Sequence, residues 1–134
     1  MKRCVSAVIK DKDGNILIQD HKKLQRYTLP GGKAHEFEYD KMALIRELFE
    51  ELGIMVYRYN ELFTEEYHDL EYPANSGTRF NFTQVFYEIT QYEGDVINKE
   101  PEKHPKILWV NPNKIRDIGP ISVVLDSYLK HIGL

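Results

Sequence analysis

Residues 31–54 read GGKAHEFEYDKMALIRELFEELGI, and this stretch decides both the local structure and the chemistry to look for. Residues 39–52 contain no Gly or Pro, and Met42, Ala43, Ile45, Leu48, Phe49 and Leu52 recur at intervals of three and four, the period of an amphipathic helix. Met42 and Leu52 are thereby expected to face the core. Gly53 stands where a left-handed C-terminal cap would end the helix. Each turn takes 3.6 residues, so Glu47, Glu50 and Glu51 become neighbours on the helix surface. Like charges so spaced cost roughly 0.2–0.5 kcal/mol per pair. A bare E-x-x-E-E on a helix is usually a solvated acidic face, here with Arg46 and Lys41 as partial counter-charges. The specific alternative is a site for a hard divalent cation such as Mg²⁺, which takes oxygen ligands from a few carboxylates and from substrate phosphates.

Outward from this helix the pattern changes to strands. Upstream, Leu29-Pro30-Gly31-Gly32 reads as a loop whose paired glycines admit positive φ and close approach to the backbone. Before it, Val5, Ala7 and Ile9 alternate, and residues 16–18 resume an apolar run after an Asp13-Gly14 turn signal, which predicts a β-hairpin. Downstream, residues 54–63 and 79–90 are rich in Val, Ile, Tyr, Phe and Thr and should be strands of a mixed sheet. Residues 65–78 lack a clean period and read as a functional loop holding His68 and Tyr72. Residues 107–110 form a short strand, and residues 121–132 return to helical spacing. Strands and two helices in this order indicate an α/β or α+β sandwich.

At 134 residues and 42% hydrophobic content the chain can build one continuous core, so a single domain over 1–134 is expected. A net charge of −3, from 18 basic and 21 acidic side chains, speaks against an extended nucleic-acid surface. Cys4 is the only cysteine, which excludes an intrachain disulfide and a cysteine-based structural zinc site and fits a reducing cytoplasm. The N-terminal residues run directly into the alternating segment, with no apolar stretch of signal-peptide or membrane-span length.

Residues 32–54 fill every specified position of G-x5-E-x7-R-E-U-x-E-E-x-G-U, U being aliphatic, and so resemble the Nudix box. Gly32, Glu38, Arg46-Glu47, Leu48, Glu50-Glu51, Gly53 and Ile54 are the matching residues. At average residue usage the chance of such a match at one start is on the order of 10⁻⁹ to 10⁻¹⁰. The resemblance implies a Nudix-type α/β/α sandwich with a mixed β-sheet, and Mg²⁺-dependent hydrolysis of a phosphoanhydride bond in a nucleoside-diphosphate-linked substrate. Mn²⁺ is a substitute cofactor.

It also implies roles. Glu47, Glu50 and Glu51, with the Gly31 carbonyl, would hold the metal, and Glu100 matches the further acid that members take from a later loop. Glu47 is the candidate general base. Arg46 would orient Glu38 or Glu47 through its planar fork, and Glu38 would brace the loop–helix junction. Lys33, His68 and Tyr72 are candidate substrate contacts, while Tyr67, Phe80 and Phe82 either stack a base or fill the core. The MutT branch is the most similar, implying a nucleoside-triphosphate pyrophosphohydrolase. Its purine-reading asparagine has no counterpart in Asp117-Ile118-Gly119-Pro120, so tight selectivity for an oxidised guanine nucleotide is not expected. Dinucleoside polyphosphates, nucleotide sugars and RNA 5′ ends are the alternative substrates, and a non-catalytic nucleotide sensor is the alternative of another class. The sequence leaves a homodimer open.

Overall fold

In the computed structural model, which describes residues 1–71 and 75–134, the helix of the quoted stretch runs Asp40–Leu52 (α1). It closes on Gly53, whose φ of 71° and N–H bond to the Phe49 carbonyl make the expected left-handed cap. The strands are Lys2–Val8 (β1), Ile16–His21 (β2), Arg26–Thr28 (β3), Gly31–Lys33 (β4), Met55–Glu71 (β5), Arg79–Glu93 (β6) and Ile107–Val110 (β7). A 3₁₀ helix over Pro112–Asp117 leads to the last helix, Val123–His131 (α2).

A four-stranded sheet has the order β4-β1-β6-β5, mixed because β1 runs parallel to β6, and a three-stranded antiparallel sheet has the order β3-β2-β7. Alternation along the strands divides the core in two. Val5 and Ala7 of β1 and Val85, Tyr87 and Ile89 of β6 pack with Ala43, Leu44, Leu48 and Leu52 of α1. Val8, Phe82 and Phe86 pack with Val124, Leu125, Tyr128 and Leu129 of α2. One helix on each side makes an α/β/α sandwich. The Ser122 hydroxyl caps α2 by accepting the Leu125 N–H at 3.0 Å and donates to Thr28 Oγ1 at 2.8 Å, which ties α2 to β3.

The structure departs from the sequence reading at four places. Met42 is 49% exposed and Phe49 equally so, whereas Leu44 is fully buried, because the inward stripe passes through Leu44, Leu48 and Leu52. Met42 lies about 200° around the helix from Leu44. A lysine at Leu52 should therefore prevent cooperative folding, while Met42→Lys should move the melting temperature by no more than a few degrees; thermal denaturation of both variants checks this.

The predicted hairpin exists only at its turn, where Asp11 and Asn15 pair, Leu17 bonds to Ile9, and Lys10 bridges Ile16. Both edges of β1 are taken by β4 and β6, so β2 turns away into the other sheet. Leu29-Pro30-Gly31-Gly32 is not wholly loop, since Gly31 and Gly32 pair with Ser6 and Val5. Finally, β5 continues through residues read as loop: a bulge between Tyr67 and Leu70, with Asp69 at φ 50°, resets the alternation and hid the strand. Tyr72 lies outside the described residues. Among the described residues, no helix is long and apolar enough to cross a membrane.

Candidate active site

Arg46 organises the acidic side of α1. Its guanidinium donates from Nε and Nη2 to both oxygens of Glu38 (2.9 and 3.0 Å), from Nη1 to Glu47 Oε1 (2.9 Å) and Glu50 Oε2 (3.3 Å), and from Nη2 to the Lys33 carbonyl (3.0 Å). Glu38 also accepts the His35 N–H at 2.9 Å, so one carboxylate clamps the turn before α1 to the helix. These bonds, Arg46 first, hold the Glu38 carboxyl down at about 2. The same contacts push the Arg46 proton affinity up.

Two glycines shape the space beside this hub. Gly31 sits at φ 150°, and a Cβ there would collide with the Val5 carbonyl of β1. A Cβ on Gly32 would occupy the place of the Glu47 carboxylate. The obstacles differ in kind, backbone in one case and the end of a side chain in the other. Gly31→Ala should lose about 1–3 kcal/mol of stability through backbone strain. Gly32→Ala should keep nearly the wild-type melting temperature yet lose at least about a hundredfold in turnover by displacing Glu47. Equal activity in Gly32→Ala and wild type would show that the Glu47 position is unimportant.

Glu51 turns inward and is 3% exposed. Its Oε2 accepts the Gly31 N–H at 3.1 Å. Burial, then the charge of Glu47, raises its pKa well above the ordinary value, with Gln19 and the Gly31 amide opposing. Glu47 is raised in the same sense, chiefly by burial, against the pull of Arg46.

A loop after β6 delivers the remaining groups. Its backbone is pinned to the end of α1 by Ile97 N–H to the Leu52 carbonyl (3.1 Å) and Lys99 N–H to the Glu51 carbonyl (2.9 Å). It then makes one helical turn, with the His104 N–H bonded to the Glu100 carbonyl at 2.9 Å, which stacks the two side chains on one side. Ligand atoms of Glu51, Glu100 and His104 all lie within 4.8 Å of one another. Among the described residues no Lys or Arg pairs with Glu51, and its nearest cationic candidate is His104 Nε2 at 3.9 Å. Burial and the nearby His21 lower the His104 pKa, favouring the neutral imidazole. A buried carboxylate without a basic partner, beside a second acid and a neutral imidazole, fits a divalent cation.

These groups line a cleft of about 480 Å³ with Gly31, Gly32, Lys33, Glu47 and Gln84. Lys2, Phe80 and Phe82 line it too, and Lys2 Nζ lies 4.4 Å above the Phe80 ring. Of the residues singled out in the sequence, Glu47, Glu51, Glu100, Gly31, Gly32 and Lys33 come together here. Glu50 faces Arg46 with its side chain 49% exposed. His68 is exposed on β5, bonded to Glu66, and does not line the cleft. Tyr67 is used internally, its hydroxyl 2.6 Å from Ser127 Oγ and its ring stacked on Phe82. His104 and Gln19 were missed. The i, i+4 spacing of Glu100 and His104 was the available signal for the first; nothing in the sequence pattern marks Gln19.

An acidic helix, a glycine strand against it and a loop acid closing the cluster make a carboxylate-rich site of the class that holds divalent cations. The NUDIX domain family model matches residues 1–129, and the chain belongs to the Nudix family. It is a Nudix hydrolase, and such enzymes act on small nucleoside-diphosphate-linked molecules and generally use a divalent metal. Among solved structures, a MutT Nudix hydrolase from Burkholderia pseudomallei is 25% identical, with a TM-score of 0.82 over 98% of this chain and 97% of that one. MutT protein from Methanosarcina mazei, 19% identical, superposes with a TM-score of 0.77 over 96% and 90% of the two chains. Dihydroneopterin triphosphate pyrophosphohydrolase of Escherichia coli, 14% identical, gives 0.71 over 96% and 92%. The last two share the fold. No curated protein matches the chain by sequence.

Proposed function

We propose that this chain hydrolyses a nucleoside triphosphate in a MutT-like reaction, releasing pyrophosphate, with Mg²⁺ or Mn²⁺ as cofactor. The observation that carries this reading is the make-up of the cleft. Glu47 and Glu51 lie against β4 where it pairs with Val5 and Ser6, whereas Phe82 pairs with Lys2, three residues back along β1. Three strand residues span about 10 Å, the reach from a phosphate chain to a base. Phe80, beyond the buried Phe82 on the same strand, offers apolar surface to the base, and Lys2, Lys23, Lys33 and Lys103 along the cleft offer positive charge to the phosphates.

Glu47, Glu51 and Glu100, with the Gly31 carbonyl, would hold the cation, and Glu50 would join them by turning from Arg46. When bound, the cation neutralises phosphate charge and lowers the pKa of a coordinated water. Glu47 is the general base. Its carboxylate, raised in pKa by burial and steadied by Arg46 Nη1, accepts the proton of the attacking water. Arg46 keeps Glu47 over Gly32 and stays clear of the substrate.

Wild-type protein should be offered nucleoside triphosphates, dinucleoside polyphosphates, nucleotide sugars and 5′-triphosphorylated RNA with Mg²⁺ and Mn²⁺, with phosphate and pyrophosphate scored separately. Pyrophosphate with a nucleoside monophosphate from the first class is the expected result. Preferred turnover of any other class would overturn the assignment.

A further inference from the structure

His104 is an unusual member of an acidic cluster, because its imidazole packs edge-on against His21, with ring centroids 5.3 Å apart, but makes no hydrogen bond among the described residues. The residue is 6% exposed, yet Nδ1 has no hydrogen-bond partner among the described residues. Nε2 faces Glu51 Oε1 at 3.9 Å, beyond hydrogen-bond length. What holds the residue is its main chain: the carbonyl accepts Asn98 Nδ2 at 2.6 Å and the N–H bonds to Glu100. Asn98 in turn accepts the Glu100 N–H at 3.2 Å, so a single side chain fixes the turn that presents both ligands. Gln19, 1% exposed, lies beside Glu51, and its side-chain amide opposes the raised proton affinity of that carboxyl. In the tautomer with its proton on Nδ1, the His104 Nε2 lone pair faces Glu51 Oε1, and two acceptors facing each other across 3.9 Å are complementary to a cation between them.

We propose that His104 supplies a nitrogen ligand to the cation held by Glu51 and Glu100, so that the site prefers a first-row transition ion, Mn²⁺, over Mg²⁺. This rests on the metal-dependent reading above and deepens it. Donors that share one cation at bond lengths of about 2.0–2.2 Å lie roughly 3 to 4.4 Å apart. The 3.9 Å between His104 and Glu51 falls inside that range, and the 4.8 Å limit on the whole cluster needs only a small side-chain adjustment. Mg²⁺ takes oxygen and sheds its water reluctantly; Mn²⁺ shares its preference for carboxylates but, as a first-row transition ion, also accepts an imidazole nitrogen. An all-carboxylate site would not distinguish the two in this way.

Pulsed electron paramagnetic resonance on the full chain loaded with Mn²⁺ alone reads the ligand directly. Wild type should show modulation from one directly coordinated ¹⁴N nucleus, absent in His104→Ala and in His104→Gln. Calorimetric titration with each ion should show Mn²⁺ affinity falling at least about tenfold in the variants, with Mg²⁺ affinity changed less than about threefold. Bound Mn²⁺ in wild type without nitrogen coupling overturns the proposal even if a variant fails to fold, and so does an equal loss of both ions. If wild type binds neither ion, the metal-dependent reading itself falls; intact binding without nitrogen removes only the role of His104.

Discussion

Replacing Glu51 with glutamine should lower turnover by at least about a thousandfold, some 4 kcal/mol of barrier, while leaving the metal-free protein as stable as wild type or more so. Both parts follow from one fact. Glu51 is buried among acids, with its pKa pushed up by burial and by Glu47. A carboxyl whose folded pKa exceeds its unfolded one favours the fold most at pH below the ordinary value of 4.5, and that benefit is lost as the pH rises through the folded value. Metal-free wild type should therefore lose stability over that rise, and added Mg²⁺ or Mn²⁺ should restore it, increasingly so at higher pH as Glu51 gives up its proton. Glutamine keeps the volume and an acceptor for the Gly31 N–H but removes the Glu51 share of the pH effect and weakens the restoration, leaving only the smaller part that comes from Glu47. Melting curves across pH, with and without cation, check this. If Glu51→Gln kept more than a tenth of wild-type activity, the cation would have to be held elsewhere.

Arg46→Ala should be destabilising as well as inactivating. Its guanidinium makes five hydrogen bonds, to three carboxylates and one carbonyl, with the side chain 23% exposed. Stripping one partner from a buried ion pair costs 3–5 kcal/mol, and partial exposure reduces this to about 2, or roughly 6–10 °C in melting temperature. Arg46→Lys keeps the charge but not the fork, and should fall between the two. The pH dependence has the opposite sign to that of Glu51. Glu38 is held at about 2, below its ordinary 4.5, so its contribution is present above 4.5 and lost as the pH falls toward 2. Wild type and Arg46→Ala should accordingly converge in stability over that acid range. A gap that stays constant down to pH 2 would mean that the Arg46–Glu38 pair contributes nothing.

The acidic helix was legible because its features are local: a cap glycine, a 3.6 period and carboxylates a turn apart all lie within 24 consecutive residues. The register of its buried side was less so, since Met42 and Leu44 are equally apolar and only the sheet decides which of them points inward. Partnership of strands was illegible for the same reason. Nothing in Val5, Ala7 and Ile9 says that β4 and β6, not β2, will take the two edges of β1. A bulge with one left-handed residue, Asp69, was enough to disguise the far end of β5 as loop. In the site, the resemblance pointed to Glu100, yet His104 escaped because a lone histidine in a loop is ordinary until the turn that carries it is seen docked against Glu51.

That docking uses Ile97 and Lys99 amides reaching carbonyls at the end of α1, and amides and carbonyls are the same in every residue but proline. The loop is thus fastened by parts of the chain that mutation rarely alters, leaving the side chains it carries open to change. Descendants of this sequence could trade a carboxylate for an imidazole, or the reverse, and alter which ion the enzyme draws from its surroundings while the helix bearing the other ligands stays as it is.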